Sequence, residues 1–379
     1  MAGLGTCTSV REVTTSQERS SSRFRETPHT CFGSSMRYYM VNTPMFFKIA
    51  GHKFTVVGAD ASYTTPHETD VVVLAPVQTV DALMVADARP SRRYYMVASP
   101  YNSAHPNLPF RKATAAAVVE YAGGARRRPR RPLLPRMPPF NDTATAHRFL
   151  TTLTALVRPG QRRTVPLAVD TSMFVTVGLG LADCRPEQTR CKEQVFAGTM
   201  NIASFVLPTT MSLLEAHFRN VPGVYTRDFP DRPSLEFNYT KPPRSMDVTT
   251  TKSTKVKTVR YNATVEMVLQ NTAMVARESH PMHLHGHNFF VLARGFGNFR
   301  RDTAVKWYNL VNPQERNTLA VPPGGWAVIR FVANNPGMWI MHCHFDAHLP
   351  IGLAMTFEVQ DGPTPETTLP PPPADLPQC

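Results

Sequence analysis

Seven of the 13 histidines fall in two short windows towards the C-terminal end. The first reads His280-Pro-Met-His283-Leu-His285-Gly-His287, the second His342-Cys343-His344-Phe-Asp-Ala-His348. Imidazole is the commonest protein ligand for copper, zinc and nickel, and one thiolate among histidines narrows the choice. The apolar lead-in from Trp339 reads as a strand, so side chains alternate: His342 and His344 on one face, Cys343 on the other. One strand then serves two metal sites, with the cysteine backbone as the covalent bridge between them. His283 and His285 repeat the i, i+2 pairing, which leaves His280 and His348 free to join Cys343. Two histidines, a cysteine and a weak or absent axial ligand describe a blue-copper site, whereas a structural zinc wants more cysteines at close spacing. The competing account is a His-rich tract of incidental affinity, or core histidines satisfied separately. Two interlocking windows with a cysteine between paired histidines argue against it.

The elements that must position these residues read as strands. Val265, Met267 and Leu269 alternate with Thr264, Glu266 and Val268; Ala327, Ile329 and Phe331 alternate with Val328 and Arg330; Leu353, Met355, Phe357 and Val359 alternate with Ala354, Thr356 and Glu358. Such period-two series predict half-buried sheet faces, and several of them predict a sandwich or barrel. Upstream, Phe54, Val56 and Val57, then Val71 to Leu74, then Val80, Leu83 and Val85 form short runs broken by turns. The 35 prolines among 379 residues, about 9% against a usual ~5%, also argue for turns and against a mostly helical chain.

A hydrophobic content of 42% and a charged content of 18% support a sizeable core. The length gives a prior of two to three domains at ~150 residues each. No stretch approaches the ~18 unbroken apolar residues of a membrane-spanning helix. The net charge of +13 invites a nucleic-acid reading. Six of those charges, Arg126, Arg127, Arg128, Arg130, Arg131 and Arg136, crowd into one Pro- and Gly-punctuated stretch without aromatic residues, which reads as a solvated loop. Neither a helix-turn-helix nor a zinc-finger pattern accompanies it, so no nucleic-acid partner is expected. Of the six cysteines, Cys184 and Cys191 are spaced to close a short loop in an oxidising compartment. Asn141, Asn238 and Asn262 open N-x-Thr sequons, which suit secretion, although residues 1–35 hold no apolar signal-peptide core.

The two windows resemble the last two copper-binding motifs of the multicopper oxidases, and the plant laccases most nearly. The likeness continues through Gly297-Asn298-Phe299, Asn309-Leu-Val-Asn-Pro313, Glu315-Arg-Asn-Thr318, Gly324-Gly-Trp326 and the tail from Leu369 to Cys379. Upstream, Phe46, Gly51, Val56, Asp60, Tyr63, Thr69-Asp70 and Ala75-Pro76 resemble the latter part of a second cupredoxin domain. The resemblance covers roughly residues 36–122 and 140–379. It implies an all-β chain of cupredoxin-like Greek-key β-sandwich domains. These would be an irregular segment at 1–35, a partial domain at 36–122, a Pro/Arg-rich linker at 123–139, a complete domain at 140–363 and a Pro-rich extended tail at 364–379.

The resemblance also assigns roles. It implies type 1 copper on His280, Cys343 and His348, type 2 copper on His283, and the type 3 pair on His285, His342 and His344. Cys343, His342 and His344 become the electron path. Leu353 falls where some relatives carry a thioether, and leucine cannot ligate. His287 has no ligand role in the pattern and is expected to pack. The family carries a loop like that between Cys184 and Cys191, which supports a disulfide there. The implied activity is one-electron oxidation of lignin-related phenols coupled to reduction of dioxygen to water, in a secreted, apoplastic glycoprotein. Ascorbate oxidase is the rival within the family, and Leu353 and the tail count against it. A complete member holds four coppers on eight trinuclear-cluster histidines from four His-x-His motifs. Here no two of His29, His52, His67, His105, His147 and His217 are two apart. The first two motifs therefore have no counterpart in this chain, which reads as N-terminally truncated relative to the pattern. By itself it is expected to hold one type 1 copper, either as an impaired enzyme or as an inert remnant.

Overall fold

The computed structural model describes residues 43–89, 91–103, 113–121, 131–157, 165–184, 193–242, 250–272, 274–275, 277–373 and 375, with backbone alone at Ser21–Phe24 and Thr30–Ser34. The chain divides into two compact units, one of residues 1–103 and 109–161, the other of 162–379 with the short stretch 104–108.

The first unit is built from a five-stranded and a four-stranded sheet. The five-stranded sheet runs in the order Ser21–Phe24, Ala115–Tyr121, Arg93–Pro100, Met45–Ile49, Val72–Leu74. The four-stranded sheet runs Thr30–Ser34, Val80–Met84, Phe54–Ala59, Ser62–Thr69. Phe46, Ile49, Phe54, Val56, Met84 and Val119 form its core. Two expectations differ from this picture. The polar first 35 residues contribute two strands, held at sheet edges by backbone pairing, which leaves no apolar signature in the sequence. The stretch expected to link domains is partly docked: Leu133 exchanges backbone hydrogen bonds with Arg93 and Tyr95 (2.8 and 2.9 Å), and Met137 packs on the core. Residues 122–130, with most of the arginine run, lie outside the described residues. The helix Thr143–Thr152, capped by the Asp142 side chain on the Thr145 N–H, then buries Ala146 and Phe149. The boundary therefore falls near residue 161 and not before 140, because apolar residues spaced among the prolines still find the first core.

The second unit is a β-sandwich. Its eight-stranded sheet runs Thr251–Ser253, Ala203–Phe205, Gln194–Met200, Thr171–Asp183, Ala263–Asn271, Gly325–Ala333, Phe289–Phe296, Gln314–Arg316. The facing sheet runs Val256–Val259, Ala354–Val359, Gly337–Cys343, His280–Leu284, Thr318–Val321. Side chains from both inner faces, among them Met173, Val265, Met267, Phe331, Met341, Cys343 and Phe357, form one continuous core. The alternating strands are not half-buried, as alternation alone predicts: all nine residues of Ala263–Asn271 and all six of Ala354–Val359 are buried. On the outer side of the eight-stranded sheet, a second layer around Val268, Leu292, Trp326 and Val328 covers the polar alternates. Glu266 on that side lies in register with Arg330, which binds its carboxylate, and Arg301 adds a contact at 3.2 Å. Beyond Gly362 the tail forms one 3-10 turn, Pro365–Thr367.

One buried network stabilises the first unit. His52 Nδ1 donates to the Ala50 carbonyl (2.8 Å), so Nε2 accepts from the Tyr121 hydroxyl (2.7 Å), which accepts in turn from the Ala88 N–H (3.1 Å). Burial lowers the His52 pKa and keeps this neutral tautomer. Tyr121→Phe strands both the imidazole acceptor and the Ala88 N–H, and should cost roughly 1–3 kcal/mol of stability. Denaturant unfolding followed by intrinsic fluorescence reads this directly; a loss indistinguishable from zero would show that water satisfies both groups.

Candidate metal centre

The site is set by the register of two neighbouring strands. His280–Leu284 pairs antiparallel with Gly337–Cys343, so Met282 lies opposite Cys343 and His283 opposite His342. On its other edge His280–Leu284 pairs with Thr318–Val321, with His280 opposite Val321 and His283 opposite Thr318. His344 falls one residue beyond its strand, yet its N–H donates to the Pro281 carbonyl at 2.7 Å and prolongs the ladder. Directly opposed residues share a face, so His280 and Cys343 face the sandwich core while His283, His342 and His344 face outwards.

On the core face, Cys343 Sγ lies 3.7 Å from His280 Nδ1 and 3.4 Å from His348 Nδ1. His348 reaches the cysteine from the loop after the strand, where its N–H donates to the Phe345 carbonyl (2.9 Å). Among the described residues this is the one group of three or more donors lying within 4.8 Å of one another. All three are buried. Burial, with His348 alongside, pushes the His280 pKa well below its usual value, and burial takes His348 down to about 4. Burial pushes the Cys343 thiol up. Three uncharged soft and borderline donors converge here in an apolar core, and His280 Nε2 finds no hydrogen-bond partner. A copper ion fits this set: two imidazoles and one thiolate are its preferred ligands, and a bound cation reverses the cost of losing the thiol proton.

On the outer face, four imidazoles gather. Ring centroids are 4.7 Å apart for His283–His285, 5.3 Å for His285–His342, 5.1 Å for His342–His344 and 5.8 Å for His283–His344. His342 Nδ1 donates to the Cys343 carbonyl (2.9 Å), and His285 Nε2 lies 3.1 Å from His342 Nε2. His283 Nδ1 donates to the Asn317 carbonyl (3.0 Å) and lies 2.9 Å from Thr318 Oγ1, which itself donates to Asn317 Oδ1. These bonds fix tautomers that leave Nε2 of His283 and His342 as the unprotonated nitrogens. Burial pushes His342 down to about 4 and lowers His285 and His344, each with a neighbouring imidazole adding to the effect on His285 and His342.

All seven ligand residues expected from the sequence thus assemble in two adjoining sets. His287 joins neither; it packs between Phe331 (5.4 Å) and Trp339 (5.9 Å). Leu353 is fully buried in the same core as Cys343. Cys184 is disulfide-bonded, while Cys191 lies outside the described residues. The three sequon asparagines, Asn141, Asn238 and Asn262, are exposed. Sequence reasoning missed Glu278, whose Oε1 lies 3.3 Å from His348 Nε2. Burial raises its pKa to about 7. A carboxyl two residues before a strand histidine was the available signal, since period two puts both on one face.

A β-sandwich that brings a cysteine and two histidines together in its core is a copper protein of the cupredoxin type. Comparison with known proteins narrows that class. Two family models, both described as multicopper oxidase, match residues 35–124 and 228–363. Laccase-25 of Oryza sativa subsp. japonica is 64% identical over 349 residues, covering 89% of this chain and 60% of that protein. Laccase-7 of Arabidopsis thaliana is 54% identical, with the same coverage. Among solved structures, the multicopper oxidase Fet3p aligns with a TM-score of 0.60 at 19% identity, over 89% of this chain and 57% of that one. The laccase from Botrytis aclada aligns at 0.58 and 22%, over 90% and 53%, and these two likenesses bear on the fold alone. The chain belongs to the multicopper oxidase family, with plant laccases as its curated relatives, and it spans about 60% of their length.

Burying neutral imidazoles has a pH consequence. His342 and His348 titrate near 4 when folded but at 6.5 when exposed, so between those values the unfolded chain binds more protons. Stability of the metal-free protein should be unaffected by these groups above pH 6.5 and fall as pH drops from there towards 4. Denaturant midpoints measured with a chelator present across that range test this. Replacing His342 by glutamine should flatten the slope, and an unchanged slope would place the acid sensitivity elsewhere.

Proposed function

We propose that this chain carries the type 1 copper portion of a laccase-type oxidoreductase, which in its whole form oxidises phenols one electron at a time and reduces dioxygen to water. The observation that carries the reading is the buried convergence of Cys343 Sγ with the Nδ1 atoms of His280 and His348. Copper held by those three residues supplies one-electron redox chemistry, and Leu353 offers it no fourth donor.

The rest is work done by the chain's own residues. His280 and His348 present neutral nitrogens, so only Cys343 must give up a proton when the site fills. Cys343 is covalently continuous with His342 and His344, which join the core face of the sheet to the outer face without crossing a non-bonded gap. His280 and Cys343 are fully enclosed, whereas His348 keeps 7% exposure and is the edge that a reductant can approach. A phenol that loses an electron also loses its hydroxyl proton, and the Glu278 carboxyl beside His348, its side chain 13% exposed, is a group able to take it. His283 belongs to a type 2 ligand set and His285, His342 and His344 to a type 3 set, each half the number a complete member has.

By family likeness we place the whole protein in the secretory route to the apoplast, with lignin-related phenols as substrates, glycans at Asn141, Asn238 and Asn262, and a Cys184–Cys191 bridge. The first unit corresponds to the later part of one cupredoxin-like domain, the second to a complete one. The leucine at 353 favours a laccase over an ascorbate oxidase. A narrower reading applies to this chain by itself: with four outer histidines it assembles the core-face site alone.

Loading the full chain with Cu(II) should give about one copper per chain, an intense thiolate absorption in the visible, and a single turnover of a phenol without sustained oxygen uptake. Cys343→Ser should abolish the colour. Copper content well above one per chain with steady oxygen consumption would overturn the narrower reading, and a colourless wild-type protein would overturn the type 1 assignment.

A further inference from the structure

Between Cys343 and the strand Ala354–Val359 the chain makes a tight loop that delivers His348. Its two ligand ends are tied through one residue. Leu353 donates its N–H to the His348 carbonyl (3.0 Å) and accepts at its own carbonyl from the Cys343 N–H (3.0 Å). Any displacement of the Leu353 backbone therefore changes the position of Cys343, of His348, or of both.

What Leu353 rests on comes from the other sheet. Strand Gln194–Met200 passes against the loop, and the Gly198 N–H donates to the Ile351 carbonyl at 2.8 Å. A Cβ on Gly198 would lie 2.5 Å from both Cβ and N of Leu353 and 2.8 Å from its Cα. Gly198 is not in the left-handed region, so its backbone conformation does not call for glycine; the close approach does. A few residues on, Ser204 Oγ donates to the same Ile351 carbonyl (3.1 Å), and the Phe205 N–H donates to the Gly352 carbonyl (2.9 Å). Gly352, at φ +99°, fits against Ser204 and Phe205 with no room for a side chain.

We propose that Gly198 is a positioning residue of the type 1 copper centre. Its missing side chain lets the Gln194–Met200 strand seat the Leu353 backbone, and Leu353 sets the spacing of Cys343 from His348. The proposal rests on the type 1 reading of that triad. A methyl group at 198 forces Leu353 back by most of an ångström before ordinary contact is restored. Bonds that start at 3.0 Å do not survive such a shift intact.

The test separates this from a general packing defect by a matched control. Gly295 lies in the same sheet, and a Cβ there would come 2.5 Å from Trp326 Cζ2, in the layer on the sheet's other side. The full chain and its Gly198→Ala and Gly295→Ala variants are loaded with Cu(II). Near-ultraviolet circular dichroism checks folding, and the thiolate–copper absorption band and Cu(II) affinity are then measured. Gly198→Ala should shift or bleach the band and weaken Cu(II) binding by about tenfold or more, as loss of support behind a metal ligand commonly does. Gly295→Ala should lower the melting temperature while leaving band and affinity as in the wild type. A wild-type band in Gly198→Ala, or an equal change in Gly295→Ala, overturns the proposal. Should Gly198→Ala not fold, Ser204→Ala is measured instead. It deletes one hydrogen bond to Ile351 and should move the band, and an unmoved band overturns the proposal. A wild-type protein with copper bound but no band refutes the type 1 reading itself, a separate result.

Discussion

The pairing of Met282 with Cys343 and of His283 with His342 sets, in a single register, which face of the sheet His280, His283, His342 and Cys343 occupy. Because strand side chains alternate with period two, a slip of one residue would send Cys343 outwards among the four histidines and a histidine into the core. What prevents the slip is burial. Met282, Leu284, Met341 and Cys343 all point into the sandwich and are at most 1% exposed. Four apolar side chains facing solvent would cost about 1.5–3 kcal/mol each, a cost that the metal-free fold avoids only in this register. The metal chemistry is thus positioned by hydrophobic burial, and the ligands occupy whatever places the register leaves them.

That arrangement has an electrostatic cost, and the protein accepts it only in the neutral state. A core able to hold two imidazoles and a thiol against apolar neighbours cannot hold them charged without a partner. The histidines are accordingly driven towards the free base and the cysteine towards the thiol, by burial in each case. Neutral imidazole is the ligating form, so the desolvation that weakens the metal-free fold in acid is the same term that prepares two of three donors. Only the thiol must change protonation when a cation enters, and in such surroundings a cation is the one neighbour able to make the thiolate the stable form.

The approach of His280 and His348 to Cys343, the gathering of His283, His285, His342 and His344 on the other face, and the sandwich itself were legible in the sequence, because period-two alternation places these side chains and donor chemistry picks them out. The domain boundary was less so. Prolines and arginines between 123 and 139 signal a linker, yet Met137, Ala146 and Phe149 pack on the first core, a tertiary preference that local composition does not encode. The strands at Ser21–Phe24 and Thr30–Ser34 were missed for a related reason, since an edge strand can be held by backbone hydrogen bonds with little side-chain pattern. Thr318 and Gly198 left no trace in the sequence because each meets a histidine, or the loop that carries one, from another strand, and Glu278 left only its spacing from His280. Only contact in three dimensions shows a carboxyl beside His348, a hydroxyl beside His283, or an absent methyl beside Leu353.

Strands covered on both sides must place polar alternates somewhere, and here they go outwards in matched sets. Glu266 meets Arg330 and Arg301 on the outer side of one sheet. On the outer side of the other, burial alone would raise the Glu358 pKa. Hydrogen bonds from His217, from Arg227 through two nitrogens at 2.7 Å, and from Thr258 and Tyr225 outweigh it and hold the carboxyl below the usual range. Glu358 and His342 lie on the same outward face, since Met338 opposes Glu358 while His342 opposes Ala354 along the same strand pair. That face therefore carries a closed ion-pair cluster at one end and the imidazole cluster at the other. Among the described residues, the core between the inner faces is formed by apolar side chains together with Cys343. With these ionised groups on the outer faces, Cys343 lies among apolar neighbours, and that burial keeps it a thiol until a metal replaces its proton.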